Sequence, residues 1–252
     1  MNRRQAILSG IGLALLSPRQ ARAQLSTRMS RQTGAAFDAY VASAESAMEW
    51  RAHMQPANDG RVAFAPANGK SPVDVKDGLI HDWMAAAVAP ASTLEPVLAV
   101  LQDYSAYKTN YAPNVTDSRV LSRDGDSWKV FLRLYKKQVL TAVLNSEYEI
   151  QYKPLGDRRW NMVSHSTKIA EVDGGKELPA GSGHGFLWRL NAYWLLEQRR
   201  EGVYMECRAI SLSRDVPAGL GWIIKPMITS VPKESLLETI GSTIKALAKP
   251  PA

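Results

Sequence analysis

The feature that most constrains the fold of this chain is an amphipathic helix predicted near its C-terminal end. Its apolar residues recur at helical spacing and fall on one face: Leu236, Leu237, Ile240, Ile244 and Leu247. A helix with such a face must bury it against another layer of structure. The segments that precede it are strand-like, so we expect the partner to be the face of a sheet.

Six segments ahead of this helix alternate between apolar and polar residues, as half-buried antiparallel strands do. They are 115–123, 128–137, 142–154, 160–172, 186–197 and 203–214. An earlier apolar run at 79–88 predicts one more strand. It is followed by a helix from Leu94 and a shorter helical piece that ends at Pro113. The predicted order is therefore one strand, two helices, six strands and a long helix.

The N-terminal residues predict export from the cytoplasm. Arg3 and Arg4 form a basic start, residues 6–16 form a short apolar core, and Ala21-Arg22-Ala23 matches a signal-peptidase site. We expect cleavage after Ala23 and a periplasmic or secreted protein. The Arg-Arg pair leaves both the general secretory route and the twin-arginine route open.

Composition shifts divide the rest of the chain into two parts. Residues 24–72 form an N-terminal extension, with a predicted helix at 34–51 and a linker rich in Pro and Gly at 55–72. Residues 73–252 form the main domain. The formal net charge of +7 falls to +3 once the four arginines of the signal are removed, so nucleic acid is not an expected partner. A single cysteine, Cys207, permits no internal disulfide, and we expect its side chain to be buried.

At this point residues 78–248 resemble the START-like, or SRPBCC, superfamily, which includes polyketide cyclases, coenzyme-Q-binding proteins and lipid-transfer domains. The element order and two stretches carry the resemblance: LEPVLAVLQDYSAY and SLSRDVPAGLGWIIKPMITSVPKESLLETI. It implies an α+β helix-grip fold, in which a curved antiparallel sheet wraps around the long C-terminal helix. It also implies a cavity for an apolar ligand between the sheet and the helix.

The resemblance and the strand alternation together give a set of candidate ligand-binding residues. We expect the following side chains to line the cavity: Leu132, Leu134, Tyr148, Trp188, Leu190, Trp194, Met205, Met227 and Ile240. The expected function is sequestration or transfer of a hydrophobic or amphipathic small molecule such as a lipid, with no cofactor. A transient contact with a membrane is a further hypothesis, and the sequence leaves the oligomeric state open.

Two other functional classes stay open. A cyclase- or aromatase-like enzyme would act on a hydrophobic substrate in the same cavity, but the sequence identifies no catalytic pair, so no catalytic residue is assigned. His53, His81, His165 and His184 show no paired ligand spacing, and no metal site is predicted. An interaction module would instead use the helix at 34–51 for docking.

Three features have two interpretations each. The Gly-rich segment 173–185 is either a mobile connection between strands or a lid at the cavity mouth. The polar residues Arg189, Asn191 and Tyr193 with Glu206 and Arg208 form either a solvent-facing ladder of cross-strand pairs or a clamp for a ligand anion. The aromatic residues either line the cavity or fill the core: Trp83, Trp188, Trp194, Trp222, Tyr148 and Tyr152.

Overall fold

The computed structural model describes residues 26–138, 140–216 and 225–248. The predicted signal at 1–23 and Trp222 lie outside the described residues. The strands are, in chain order, β1 (Thr27–Arg28), β2 (Ala63–Pro66), β3 (Val73–Val75), β4 (Gly78–Pro90), β5 (Val115–Asp124), β6 (Ser127–Lys137), β7 (Thr141–Pro154), β8 (Arg159–Asp173), β9 (Lys176–Glu177), β10 (Ser182–Gly183), β11 (Arg189–Gln198) and β12 (Gly202–Arg214).

The helices are α1 (Arg31–Ser46), α2 (Leu94–Gln102), α3 (Tyr107–Asn110) and α4 (Val231–Leu247). A single π-helical turn, Pro226–Ser230, leads into α4. Helix α1 begins where the Ser30 side chain accepts a hydrogen bond from the Thr33 backbone N–H at 3.1 Å. It therefore starts three residues before the helix predicted at 34–51, and it ends five residues earlier.

One antiparallel sheet organises the described chain. Its spatial order is β2, β4, β12, β11, β8, β7, β6 and β5, while β3 also pairs with β4 and β9 with β8. The first and last long strands, β4 and β12, are therefore neighbours, and the strands between them follow in reverse order of the chain. Helix α4 covers one face of this sheet, which we call the inner face. There Leu236 and Ile240 pack with Val97, Leu101 and Met205. The predicted α+β helix-grip fold is confirmed.

Helix α1 covers the opposite, outer face of the same sheet. Phe37 and Val41 on the helix pack against Ile80 of β4 and against Ile210 and Leu212 of β12. Phe37 is only 2% exposed. The apolar side of this helix, which the docking hypothesis needed to be free, is therefore buried against the chain's own sheet.

The Gly-rich connection between β8 and β11 is held by one buried carboxylate. Glu171 accepts hydrogen bonds from three successive backbone N–H groups, those of His184 at 2.7 Å, Gly185 at 2.7 Å and Phe186 at 3.1 Å. Gly183 lies against the same carboxylate at φ +110°, where a Cβ atom would collide with it. The segment is thus anchored through its own backbone, an arrangement that neither sequence hypothesis included.

Replacing Glu171 with Gln should lower the free energy of unfolding by about 2–4 kcal/mol, because hydrogen bonds to a charged group contribute about 1.5–3 kcal/mol each and the amide can accept fewer of them. Urea denaturation measures this change. Glu147→Gln is the matched control, since its carboxylate is about 38% exposed and pairs with Lys168 at 3.6 Å; it should cost less than about 1 kcal/mol. Equal losses in the two variants would contradict the anchoring role of Glu171.

Candidate functional site

A cavity of about 280 Å³ lies between the inner face of the sheet and α4. Its floor comes from strands β4, β6, β7, β8, β11 and β12, and its roof from the N-terminal half of α4 and the turn before it. Most of its surface is apolar. The cavity is therefore in the place that the fold resemblance implied.

The cavity exists because the centre of the floor is made of small residues. Trp83, Ala209, Ala192 and Ser164 stand opposite one another in four neighbouring strands. Two alanines and a serine leave a depression in the sheet that the side chains of α4 do not fill. Sequence alternation placed Ala209 on the inner face, but it gave no sign that a row of small side chains crosses the strands.

The structure brings six of the nine predicted ligand-binding residues together around this cavity. They are Leu132, Leu134, Tyr148, Leu190, Trp194 and Met227. Their role in ligand binding stays a prediction. The other three, Trp188, Met205 and Ile240, do not line the cavity.

Met205 and Ile240 lie in the closed part of the core. Both are fully buried, and they pack where α4 and α2 approach Ala85, Ala87 and Ala89 of β4. Alanine side chains are short, so the helices come close to the sheet there and leave no space. Met205 has the predicted inward orientation, but closely packed side chains cover it and separate it from the cavity.

Trp188 lies on the outer face, among the residues that α1 covers. Regular pairing of β11 begins only at Arg189, opposite Leu212. The alternation that put Trp188 on the same side as Leu190 therefore does not extend to it. Its ring packs beside Gly185, in the connection that Glu171 holds.

One wall of the cavity is formed by Tyr104, Tyr107 and Tyr111, which together with Tyr152 behind them form a cluster whose hydroxyl groups are all hydrogen-bonded. Tyr107 and Tyr152 donate to the Leu101 carbonyl at 2.6 and 2.8 Å, and the Tyr104 hydroxyl lies 2.8 Å from that of Tyr152. Tyr111 pairs with Thr243 of α4 at 3.0 Å. Burial raises the pKa of each of these tyrosines above its usual range, so the wall is uncharged.

The floor differs from this wall because several of its polar groups have no partner. The Tyr148 hydroxyl and the Trp83 indole N–H are buried without a hydrogen bond in the described part of the chain. Ser164 and Ser211 also line the cavity, and neither hydroxyl has a partner among the described residues. Burial raises the pKa of Tyr148 to about 12. Ser211 has the same parity as Ala209, so its place on the inner face was available from the sequence.

Charged side chains meet the cavity at its mouth. The Lys136 ammonium group lies 2.6 Å from the Glu238 carboxylate, which also accepts from the Asn114 amide at 2.8 Å. Gln138 donates to Glu234 at 2.9 Å. These contacts join the end of β6 to α4. Lys136 and Glu238 are the only charged residues among the described lining residues.

The polar residues of β11 and β12 are on the outer face, where α1 and the segment after it cover them. Arg208 donates two hydrogen bonds to Asp82 of β4, at 2.8 and 2.6 Å, and Tyr40 of α1 donates a third at 2.8 Å. Glu206 accepts from the ring of His53 at 2.8 Å. The prediction of a solvent-facing ladder is therefore wrong, since Asp82 is fully buried and Glu206 is 5% exposed.

A second cavity, of about 360 Å³, lies beside these outer-face residues. Glu206 is the one buried carboxylate among its described lining residues, and it is already matched by His53, while Arg208 and Tyr40, which also line the cavity, are bound to Asp82. Paired charges of this kind fix two segments of chain against each other, so we assign the cluster to holding the N-terminal extension in place.

His81 is the one histidine that is completely buried. Its Nε2 lies 3.2 Å from the Ser213 hydroxyl, and its Nδ1 has no partner in the described ranges. Burial lowers the pKa of His81 to about 4, so the ring is neutral near pH 7. His81 stands opposite Ser211 in the sheet, but it does not itself line the cavity.

Two further findings concern the described ranges only. They contain no cluster of three or more His, Cys, Asp or Glu side chains arranged to hold a metal ion. None of their helices has the length and apolar character needed to span a membrane. Cys207 is 2% exposed, as predicted, and burial raises the pKa of its thiol.

No protein-family model matches the chain, and no curated protein matches its sequence. Solved structures with a similar fold include a STAR-related lipid transfer protein from Xanthomonas axonopodis, which is 17% identical in sequence with a TM-score of 0.47. The superposition covers 70% of this chain and 95% of the other chain. The Zhui aromatase/cyclase from Streptomyces sp. R1128 is 10% identical, with a TM-score of 0.46, and the superposition covers 67% of this chain and 93% of the other. Human STARD10 is 8% identical, with a TM-score of 0.46 and coverage of 87% and 82%.

The chain has a START-like fold. The features that decide this are internal to the structure: β4 and β12 are neighbours, the other long strands follow in reverse order, and α4 lies across the inner face. The resemblance stated from the sequence is confirmed for the fold. Identities of 8–17% describe the fold alone.

The START-like core should lose stability in mild acid because of His81. Between pH 6.5 and about 4, the unfolded chain binds a proton at this ring that the folded chain does not. The free energy of unfolding should therefore fall as the pH is lowered through this window, by up to about 3 kcal/mol from this group. Urea denaturation at pH 7.5, 6.0, 5.0 and about 4.5 measures the slope.

In His81→Gln the slope should become shallower, whatever the stability of this variant at pH 7.5. His165→Gln is the control, because its side chain is 44% exposed and bound to Glu45 at 2.7 Å. It should keep the acid-dependent loss. An unchanged slope in His81→Gln would exclude His81 as the cause.

Proposed function

We propose that this protein binds a hydrophobic or amphipathic small molecule, such as a lipid, in the cavity between the inner face of the sheet and α4, for sequestration or transfer. The supporting observation is an unfilled, mainly apolar cavity of about 280 Å³ inside an otherwise closely packed core. Protein cores are normally filled, and a mainly apolar cavity inside a core is typical of a ligand-binding site.

Apolar burial would provide most of the affinity. Each Å² of apolar surface removed from water contributes about 25 cal/mol. Part of that gain is offset by the lost freedom of the bound molecule. The paired charges at the mouth, Lys136 and Glu238, add little inside the cavity because they neutralise each other.

The proposed setting is the periplasm or the exterior of the cell, and its support is the signal-like pattern of residues 1–23. A carrier there would exchange an apolar cargo with a membrane, so we include a transient membrane contact in the proposal. The oligomeric state does not enter this mechanism, since the described cavity is built within one chain.

A cyclase- or aromatase-like enzyme acting in the same cavity is the alternative. General acid–base catalysis needs a titratable group within hydrogen-bond reach of the substrate. Among the described lining residues, Lys136 and Glu238 lie at the mouth and pair with each other. Burial raises the pKa of Tyr104, Tyr107, Tyr111 and Tyr148, so these four hydroxyls stay protonated. These observations favour binding over catalysis as the first hypothesis to test.

Ala192→Phe should fill the cavity, because Ala192 lies at the centre of its floor. We expect the affinity for the neutral fluorescent probe N-phenyl-1-naphthylamine to fall at least tenfold, measured by fluorescence titration of the purified full chain. Ala42→Phe is the matched control. It adds the same ring at an exposed position of α1 and should bind the probe as the wild type does.

Circular dichroism shows whether each variant is folded. Unchanged probe binding in a folded Ala192→Phe variant would overturn the proposed site. A wild-type protein that binds no probe would overturn the proposed function itself.

A further inference from the structure

We infer that the molecule held in this cavity carries an uncharged oxygen function, such as a ketone, an ester or an alcohol, on an apolar body. The inference rests on the proposed function, since it names the class of ligand for the same cavity. It comes from the polar groups of the floor, which the fold leaves without partners.

Tyr148 shows that the floor contains polar groups that the chain itself does not satisfy. Its side chain is 5% exposed, it lines the cavity, and its hydroxyl has no hydrogen-bond partner in the described part of the chain. A buried hydroxyl without a partner costs about 1–3 kcal/mol. No water-sized group can reach this oxygen from the cavity, so the contacts available to a ligand come from the serines beside it.

Two serines extend this polar surface. Ser164 and Ser211 are 6% and 5% exposed, both line the cavity, and neither hydroxyl has a partner among the described residues. Ser166 is the informative comparison, because its hydroxyl is used by the chain itself and accepts from the Leu190 backbone N–H at 2.9 Å. Of these three serines, the two that line the cavity have unpartnered hydroxyls, and the one that does not line it is hydrogen-bonded within the chain.

The strand register places these groups on adjoining rows of the floor. Tyr148 stands opposite Ser166, one inward-facing position along β8 from Ser164. Trp83, whose indole N–H is also without a partner, ends the row that contains Ser164. The indole nitrogen is inaccessible from the cavity, so the hydroxyls of Ser164 and Ser211 are the floor groups that a ligand can reach. Each can donate a hydrogen bond to an acceptor oxygen of the ligand.

Charge limits the class further. No charged residue lines the cavity apart from Lys136 and Glu238 among the described residues, and these two pair with each other at the mouth. A carboxylate or phosphate moved to the floor would lose its hydration without meeting an opposite charge, which is strongly unfavourable. A carbonyl or hydroxyl oxygen loses much less, and the floor donors replace the water it gives up.

The volume of the cavity also limits the class of ligand. A volume of about 280 Å³ is near the lower end of ordinary ligand pockets, which run from roughly 300 to 1,000 Å³. That space suits one chain or a small ring system better than a phospholipid with two acyl chains. The structure therefore favours a compact neutral molecule with one polar end.

The test uses three competitors with the same chain length: 2-undecanone, undecane and undecanoate at pH 7.5. Each displaces N-phenyl-1-naphthylamine from the full-length protein. The ketone should compete at a concentration about two- to tenfold lower than undecane, since one neutral hydrogen bond contributes about 0.5–1.5 kcal/mol. Undecanoate should be the weakest of the three.

Removing the floor groups should remove this preference. In the variant with Ser164→Ala and Ser211→Ala, undecane should compete as well as before, while 2-undecanone loses its advantage. Ser166→Ala is the matched control, because it deletes a serine hydroxyl of the same strand that accepts from the Leu190 backbone N–H and does not line the cavity. It should keep the preference of the wild type.

The outcomes separate the two proposals. If the wild type does not bind the probe, the proposed function fails and this inference fails with it. If the probe binds but undecanoate competes best, or the ketone has no advantage over undecane, only the inference about the ligand is overturned. A preference that persists in the variant with Ser164→Ala and Ser211→Ala, or that is lost equally in Ser166→Ala, would overturn the role given to the floor.

Discussion

The rest of the structure depends on the contact between α4 and the inner face of the sheet. The helix buries Leu236 and Ile240, and the short alanine side chains of β4 let it come close enough to do so. Towards the N-terminal half of α4 the floor is again built from small residues, but there the space beneath the helix is not filled. One contact thus produces both the solid core and the cavity, and the boundary between them is set by which side chains face the small residues.

Buried carboxylates hold the outer parts of the chain to this core. Glu171 collects three backbone N–H groups, Asp82 binds Arg208 and Tyr40, and Glu206 binds His53. Each acts between segments that are distant in sequence. A charge buried in this way is stable only when its partners are in place, so these three sites fix the positions of α1 and of the Gly-rich connection more sharply than apolar contacts would.

Much of the fold could be predicted from the sequence because its elements follow simple periods. Alternation located six of the seven long strands, a continuous apolar run located β4, and the spacing of the leucines and isoleucines located α4. Short strands inside loops were missed, as in the case of β2 within the predicted linker, since four residues carry too little pattern. The sequence also could not show that α1 covers the outer face, and for this reason the polar residues of β11 and β12 were wrongly expected to face solvent.

The candidate site was predictable only in part. Parity gives the face of the sheet for a residue within a strand, which is why five candidates from the strands surround the cavity, while Met227 belongs to the turn before α4. It does not give depth along the strand, so Met205 was not distinguished from Leu190. It also fails where a strand has not yet begun, as at Trp188. The unpartnered groups of Ser164 and Ser211 depend on contacts across four strands, which no local pattern reports.

The pairing of β4 with β12 also determines how this protein must fold. Trp83 stands opposite Ala209, so the sheet cannot be completed until almost the whole chain is available. Contacts between residues so far apart in sequence form slowly, because a long loop must be closed before they are gained. The roof of the cavity comes later still in the chain, from α4. The complete cavity, including the mouth at Lys136 and Glu238, is therefore among the last features that this protein acquires during folding.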